Sequence, residues 1–338
     1  MVHTRNETIQ LGHGGGGLLS RELIDAEIVS RFGDGPLRGL PDGARLPRIH
    51  GELVFSTDSF VVSPIFFPGG NVGDLAVHGT VNDLSVCGAK PLWLSLSLIL
   101  EEGFSIENLR RILDSVAIAA DNCGVKVVTG DTKVVALGQC DGIFINTAGI
   151  GEVIDGFSLN RDSIQVGDAV LASGTLGDHG MAIMAAREGL HVSSSLVSDS
   201  APVHRLVQSI APLAQSVRFM REPTRGGLAA TLNEIVEHAQ VGVLLKQVNL
   251  PFSKSASGLA EVLGIDMLHV ASEGRMLMIC ASEVAAQILA IWHSQPEGAG
   301  ACRIGTVTAD AGRVLLETAF GGRRMVDVPQ GELLPRIC

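Results

Sequence analysis

Three carboxylates recur in one kind of place in this 338-residue chain. Asp58, Asp83 and Asp131 each sit at or near the end of an apolar stretch, beside glycine-rich segments. Carboxylate oxygens are hard ligands, and Mg2+ is commonly held by a few of them together with phosphate oxygens. Convergence of the three would therefore suit a phosphate-bearing substrate, although a single aspartate at a strand end is ordinarily a turn or cap residue. Lys133, two residues beyond Asp131, adds positive charge for a transferring phosphoryl group. Residues 12–17 read Gly-His-Gly-Gly-Gly-Gly ahead of a helix signal, and backbone N–H groups in such a run can approach an anion. That makes His13, Gly14, Gly16 and Gly17 candidates for nucleotide contact, with a solvated His13 in a plain linker as the competing reading. Neither a Walker motif nor a dinucleotide fingerprint follows a strand. The residues point to an unusual ATP site.

A second chemistry lies at the other end. The chain closes on Pro335-Arg336-Ile337-Cys338, and a thiol on a free end can be carried into and out of a pocket. Pro329, Gly331 and Pro335 keep the last twelve residues out of a helix or a central strand. Fully extended, they reach roughly 40 Å. The cysteine is not a prenylation signal, which requires it four residues from the end, where Pro335 stands.

The elements that must position these groups follow from pattern. Ser20 is expected to cap a helix with Leu23, Ile24, Ile28 and Val29 on one face and Gly33 at its end. Strands are expected over residues 53–58 and 60–62, 94–100, 125–129, 143–150, 169–172, 241–245 and 276–280. Residues 130–133 follow the third of these at once. Asn71 with Asp74 and, separately, Ser105 start helices. Further helices run from the loop at 174–180 to Gly189 and over residues 228–238. Hairpin-like strands mixed with helices give an α/β chain built of α+β layers with mixed sheets, rather than a doubly wound parallel sheet. The expected division is a glycine-rich loop and helix over 1–40, an ATP-binding and dimerisation domain over 41–155, an α/β domain over 156–326, and a flexible tail over 327–338.

Composition narrows the setting. Hydrophobic residues make up 46% and charged residues 18%, enough for a sizeable core. A net charge of −11 speaks against a non-specific nucleic-acid binder, which needs basic surface. The first twenty residues carry Arg5 and Glu7 without an apolar run, so no signal peptide is expected, and no stretch is long and apolar enough to span a membrane. Six cysteines at 87, 123, 140, 280, 302 and 338 include no C-x-x-C pair. That spacing argues against zinc and against a disulfide framework, and a soluble cytoplasmic protein is expected.

Several segments together are similar to one family. They are residues 57–62 (TDSFVV), 66–71 (FFPGGN), 79–83 (GTVND), 128–135 (VTGDTKVV), 145–149 (INTAG), 177–180 (GDHG), 224–227 (TRGG) and the closing Pro-Arg-Ile-Cys. In this order, and over essentially the whole chain, they resemble the hydrogenase maturation factors of the HypE family. The aspartate segments alone would indicate only the wider superfamily of aminoimidazole ribonucleotide synthetase and selenophosphate synthetase. The resemblance implies a two-domain fold of that superfamily, a homodimer formed by N-terminal domains, and ATP with Mg2+ as cofactors. It further implies that the terminal cysteine receives a carbamoyl group from HypF, that the S-carboxamide is dehydrated to a thiocyanate, and that HypC–HypD accepts the cyanide for the [NiFe]-hydrogenase iron. On this resemblance Asp58, Asp83 and Asp131 bind magnesium and phosphate, with Asn82 and Thr132 in support. Cys338, Lys133 and Glu273 carry the chemistry, the last two orienting and deprotonating the carboxamide. Gly15 stands where the family often has serine, and Glu222 where it commonly has aspartate, so Glu222 is left out of the site. Selenophosphate synthesis would call for a cysteine in the glycine loop, which has none. A non-catalytic thiol carrier would tolerate Asp83→Asn.

Overall fold

A computed structural model describes residues 7–33, 35–190, 196–328, 331, 334 and 336–338. Arg5, Pro329 and Pro335, used above, lie outside the described residues. The chain opens with α1 (Leu18–Leu23), a π-helical segment Ile24–Val29 and α2 (Ser30–Phe32). Gly17, not Ser20, precedes the first helical residue. The helix starts three residues early, and the Ser20 hydroxyl instead accepts the Gly16 N–H from inside it. Within the π segment Glu27 is buried and bound by Arg110 and Arg31. Burial alone would raise that carboxyl, but the bonds and charges of Arg110 and Arg31 more than offset it and leave it below the ordinary range.

The first sheet is built from β1 (Leu53–Phe60), β4 (Ala89–Glu101), β5 (Lys126–Val135) and β6 (Ile143–Val153), with a short hairpin of β2 (Phe66–Phe67) and β3 (Gly70–Asn71) beside it. Its order is β1-β6-β4-β5, and only β4 and β5 run parallel. The expected strand end at 129 is overtaken. The ladder with β4 continues to the pair Glu101–Val135, so Asp131 and Lys133 sit inside a strand. Pairing across the sheet outweighs the local glycine signal at Gly130. Helix α3 (Val72–Val86) begins at Asn71, whose side chain accepts the Gly73 N–H while Asp74 accepts that of Asn71, the expected reciprocal cap. Helix α4 (Ile106–Cys123) starts at Ser105 and ends at left-handed Gly124. Both helices lie on one face of the sheet, where Phe60, Leu96, Leu98 and Ile145 are buried. The opposite face is open and carries exposed Leu53, Phe55 and Ile99.

The second sheet has seven strands. They are β7 (Ala169–Ala172), β8 (Val217–Arg221), β9 (Gly242–Lys246), β10 (Leu277–Cys280), β11 (Cys302–Thr308), β12 (Val314–Glu317) and β13 (Arg323–Met325). Their order is 13-12-9-11-7-10-8, with only β9 and β12 parallel. Strands β7 and β10 are buried on every residue, so they read as short apolar runs without alternation. Around the sheet run α5 (Asp178–Arg187), α6 (His204–Ser209), α7 (Gly227–His238), α8 (Lys254–Leu263) and α9 (Ala285–His293). Helix α6 and strand β8 pack on α3, and α5 packs on the β2–β3 hairpin. The seam between the two sheets is where Asp58, Asp83, Glu273 and the tail meet.

Candidate active site at the domain seam

Asp58 and Asp83 come together through ordinary periodicity. Even-numbered residues of β1 face α3, which puts Ser56 and Asp58 on the helix side. Asp83 lies one turn beyond Gly79, where a Cβ would come within 4.0 Å of Asp58 Oδ2, and its carboxylate accepts the Ser56 hydroxyl at 2.7 Å. Burial raises both carboxyls above their ordinary range, and the charge of Asp58 adds to the rise at Asp83. The Arg225 guanidinium offsets part of it at Asp58.

Two more carboxyls close the seam from the second domain. Glu222, just past β8, is buried and accepts from Asn82 Nδ2 at 3.0 Å. Glu273 is also buried, and its Oε1 has no hydrogen-bond partner among the described residues. Burial raises both well above the carboxylate range; Glu273 raises Glu222 further, and Asp199 raises Glu273. The Glu273 backbone is fixed at both ends: its N–H donates to Asp199 Oδ1 at 2.8 Å and its carbonyl accepts from Asn82 Nδ2 at 3.2 Å. The next residue must be glycine, because a Cβ on Gly274 would lie 2.0 Å from the Asp199 carbonyl oxygen. Glu273 is thus a buried, backbone-anchored carboxyl rather than a surface-loop one.

The tail rests inside this seam. Val61 N–H donates to the Cys338 carbonyl at 3.1 Å and Ser63 N–H to that of Arg336 at 3.1 Å, an antiparallel pairing with the residues that leave β1. Ile337 and Leu334 are buried, and the Arg336 guanidinium pairs with Asp141. His179 Nε2 bonds the Ile337 carbonyl at 2.6 Å, and Arg187 donates to the carbonyls of Ser63 and Arg336. The Cys338 thiol is pushed up to about 12, first by burial and then by the charge of Glu273. Arg225 opposes that rise, while Asp58 and Glu222 add to it. The thiol thus lies within the electrostatic reach of the same carboxyl cluster.

Asp131 and Lys133 lie elsewhere. Asp131 pairs across the sheet with Ser97, which pairs with Asn146, and these face the open side, whereas Asp58 faces α3. Three strand spacings, roughly 14 Å, separate β1 from β5. Lys133 Nζ holds Asp131 at 2.6 Å, both side chains being more than half exposed, and this bond lowers the Asp131 carboxyl. The expected convergence of three aspartates does not occur within one chain, and no group of three metal-ligating side chains is present among the described residues.

Beside β5 is a cavity of about 540 Å3, lined by Thr129, Gly130, Asp131 and Thr132 on one side and by Ile24, Ile28 and Leu40 on the other. The glycine loop caps the same strand, with Gly14 packed so close that a Cβ would lie 2.9 Å from that of Val134. His13 is buried rather than solvated, and its Nδ1 accepts the Gln10 N–H. The loop's N–H groups are not all free as expected: Gly15 donates to the Gly12 carbonyl and Gly16 to Ser20. Gly17 is exposed at the entry of α1. Asn82 also departs from expectation. Its Nδ2 faces the carbonyls of Ala201 and Glu273 and the Glu222 carboxyl, and its Oδ1 accepts the Val203 N–H, so both ends of the amide are engaged across the seam. It is a clamp between the domains.

The sequence reading left Arg225, Glu222, Asp199 and His179 out of the site. Two carried a local signal: Arg225 belongs to the Thr-Arg-Gly-Gly segment and His179 to Gly-Asp-His-Gly. Asp199 carried none, being placed only by the return of residues 196–203 toward α3.

Residues 42–153 match the family described as AIR synthase related protein, N-terminal domain, and residues 165–316 its C-terminal domain. The carbamoyl dehydratase HypE of Bradyrhizobium diazoefficiens is 47% identical over 336 residues, covering 99% of this chain and 97% of that one. A crystal structure of hydrogenase maturation protein HypE in complex with ATP superposes with a TM-score of 0.94 at 43% identity, covering 98% of this chain and all of the other. The structure of a HypE–HypF complex gives 0.80 at 43% identity, covering 91% and 99%.

Proposed function

The chain belongs to the HypE family of carbamoyl dehydratases, within the AIR synthase related proteins, and from that premise we propose how its residues divide the reaction. The activity is the ATP-dependent dehydration of an S-carboxamide on Cys338 to a thiocyanate, in hydrogenase maturation. An amide oxygen is a poor leaving group. ATP phosphorylates it, one nitrogen-bound proton departs, and the S-bound imidate then expels phosphate as the second proton leaves, giving S–C≡N, ADP and phosphate. The observation that carries the assignment is the terminal thiol docked beside Glu273, whose Oε1 is buried and unpartnered among the described residues. A carboxyl with raised proton affinity suits a group that takes a proton from nitrogen. Burial of the thiol between the domains excludes the water that would hydrolyse the imidate.

Asp58 and Asp83 suit a divalent cation, since each is raised by burial and Asp83 further by its neighbour, a cost that a cation would relieve. The two carboxylates would hold Mg2+, which would supply positive charge against the charge that develops in phosphoryl transfer. Thr132, the cavity at β5 and the glycine loop with His13, Gly14, Gly16 and Gly17 hold the nucleoside end. The protein works as a homodimer through the open face of the first sheet. If the two-fold axis runs along the strands, β1 of one copy meets β5 of the other, which brings Asp131 and Lys133 to Asp58 and Cys338 of the partner. A HypF-type carbamoyltransferase is the donor, HypC–HypD is the cyanide acceptor, and the setting is cytoplasmic; the solved HypE–HypF complex of a relative supports the first partner. No helix among the described residues is long and apolar enough to cross a membrane.

The test is intact mass of the chain carbamoylated by HypF, before and after Mg-ATP, with the modified residue mapped by fragmentation. Loss of one water from an adduct on Cys338, only with ATP, is expected. A carbamoyl adduct unchanged by ATP would reduce Cys338 to a carrier.

A further inference from the structure

The tail does not dock by shape alone; one directional chain of hydrogen bonds ends on it. The Ile337 carbonyl can only accept, so the 2.6 Å contact fixes His179 as the tautomer carrying its proton on Nε2. Nδ1 is then an acceptor and takes the Ser198 hydroxyl at 2.7 Å, and Ser198 Oγ in turn accepts the Ser200 N–H at 3.0 Å. Every donor in the series points toward the tail. The imidazole is fully buried, with Phe67 edge-on at 5.5 Å between ring centres.

The same short segment reaches the base. Asp199, between the two serines, accepts the Glu273 N–H, and the Ser200 hydroxyl bonds His78 on α3 at 3.0 Å. Residues 198–200 therefore set the Ile337 carbonyl through His179 and the Glu273 backbone through Asp199. An error in one is registered against the other within a few ångströms.

We propose that His179 is a positioning residue, a neutral hydrogen-bond donor that latches the Ile337 carbonyl so that the carboxamide on Cys338 is presented to Glu273. It touches neither the thiol nor the nucleotide; it acts by holding the peptide one residue back. Arg187, on the same helix, holds the carbonyl before that, so two successive tail carbonyls are gripped from α5. The proposal rests on Cys338 being the substrate-bearing residue, but the first measurement involves no catalysis, so the two readings fail separately.

The experiment is alkylation of the unmodified full-length chain by iodoacetamide, followed by mass spectrometry at each cysteine. Cys87 is exposed and serves as the open reference, while Cys123 and Cys280 are buried and report on global unfolding. Wild-type Cys338 should react well below Cys87. His179→Ala leaves a buried carbonyl unpaired and should speed Cys338 at least ten-fold with Cys123 and Cys280 still silent. His179→Gln, which keeps an N–H donor at similar reach, should restore most of the protection. Ser198→Ala frees the ring to turn to the other tautomer and should give an intermediate rate. Carbamoylated His179→Ala should then dehydrate more slowly in a single turnover, while accepting the carbamoyl group as well as wild type.

Three results would overturn the latch. One is a Cys338 rate unchanged in His179→Ala while Cys123 and Cys280 stay silent. Another is His179→Gln reacting as fast as the alanine variant. Should the alanine variant expose all three cysteines together, Ser198→Ala decides: faster Cys338 alone sustains the latch, and no change ends it.

Discussion

The two edges of the first sheet carry the same residue types in opposite environments. At β1, Asp58 lies with Asp83, Glu222, Glu273 and Cys338 in a seam roofed by the second domain, and burial raises every one of these groups. At β5, Asp131 and Lys133 face solvent, pair with each other, and the carboxyl is lowered. A buried edge suits proton transfer, where the acceptor must bind a proton tightly and water must be kept out. An exposed charged edge suits a polyphosphate that must enter and leave. Each chain has one edge of each kind, set roughly 14 Å apart. The division of roles proposed above draws on both.

The largest effect should come from the buried edge. Glu273→Gln keeps the shape and the backbone bonds to Asp199 and Asn82 but cannot take a proton. Dehydration measured by loss of water from carbamoylated chain should fall by about 10²–10⁴ with carbamoylation intact. A rate within a few-fold of wild type would move the base elsewhere, with Glu222 next in line.

The second effect asks whether the edges meet across two chains. Lys133→Ala should lower dehydration by about 10² by removing charge at the transferring phosphoryl group. Lys133→Ala and Glu273→Gln chains mixed and allowed to exchange subunits then separate the cases. If β5 of one copy serves β1 of the other, half of the mixed dimers' sites are intact, and about one quarter of wild-type activity returns. If both edges serve one chain, every site keeps one defect and nothing returns.

The contrast between the edges also explains what could be read from residue order. Elements with local signals were legible: the reciprocal cap at Asn71 and Asp74, the Ser105 start of α4 and the glycine after it, and the apolar runs of β7, β9 and β10 in the second sheet, whereas β8, β11, β12 and β13 went unread. The aspartates were identifiable as a group by type and neighbourhood, yet their faces were not. Asp58 and Asp131 differ by one step of a two-residue alternation in a register set by partner strands, and β5 runs on through a glycine that locally reads as its end. Asn82 misled because an amide beside Asp83 reads like a ligand; only the approach of residues 201–203, 222 and 273 turns it into an interdomain clamp. The resemblance to the HypE family supplied Glu273, and neither spacing nor pattern would have found it. Where the tail rests depended on long-range contacts of Val61, Ser63 and His179, so the sequence left that question open.

The smallest effect concerns the thiol itself. A cysteine ordinarily titrates near 9, and docking raises Cys338 to about 12. Between these values the docked tail binds one more proton than the free tail, so docking is unaffected below pH 9 and weakens as pH rises toward 12. At pH 10 the ratio of free to docked tail should rise by about ten-fold over its value at pH 8. The methyl signals of Ile337, buried when docked, would report this in a pH series by NMR. A chain with Cys338 S-methylated has no thiol proton to lose and should stay docked through the same range. If it undocks in step with the free thiol, some other group at the buried edge drives the release. If neither moves, the thiol does not enter the low-dielectric seam, and the burial that sets the β1 edge apart from β5 stops short of the reacting sulfur.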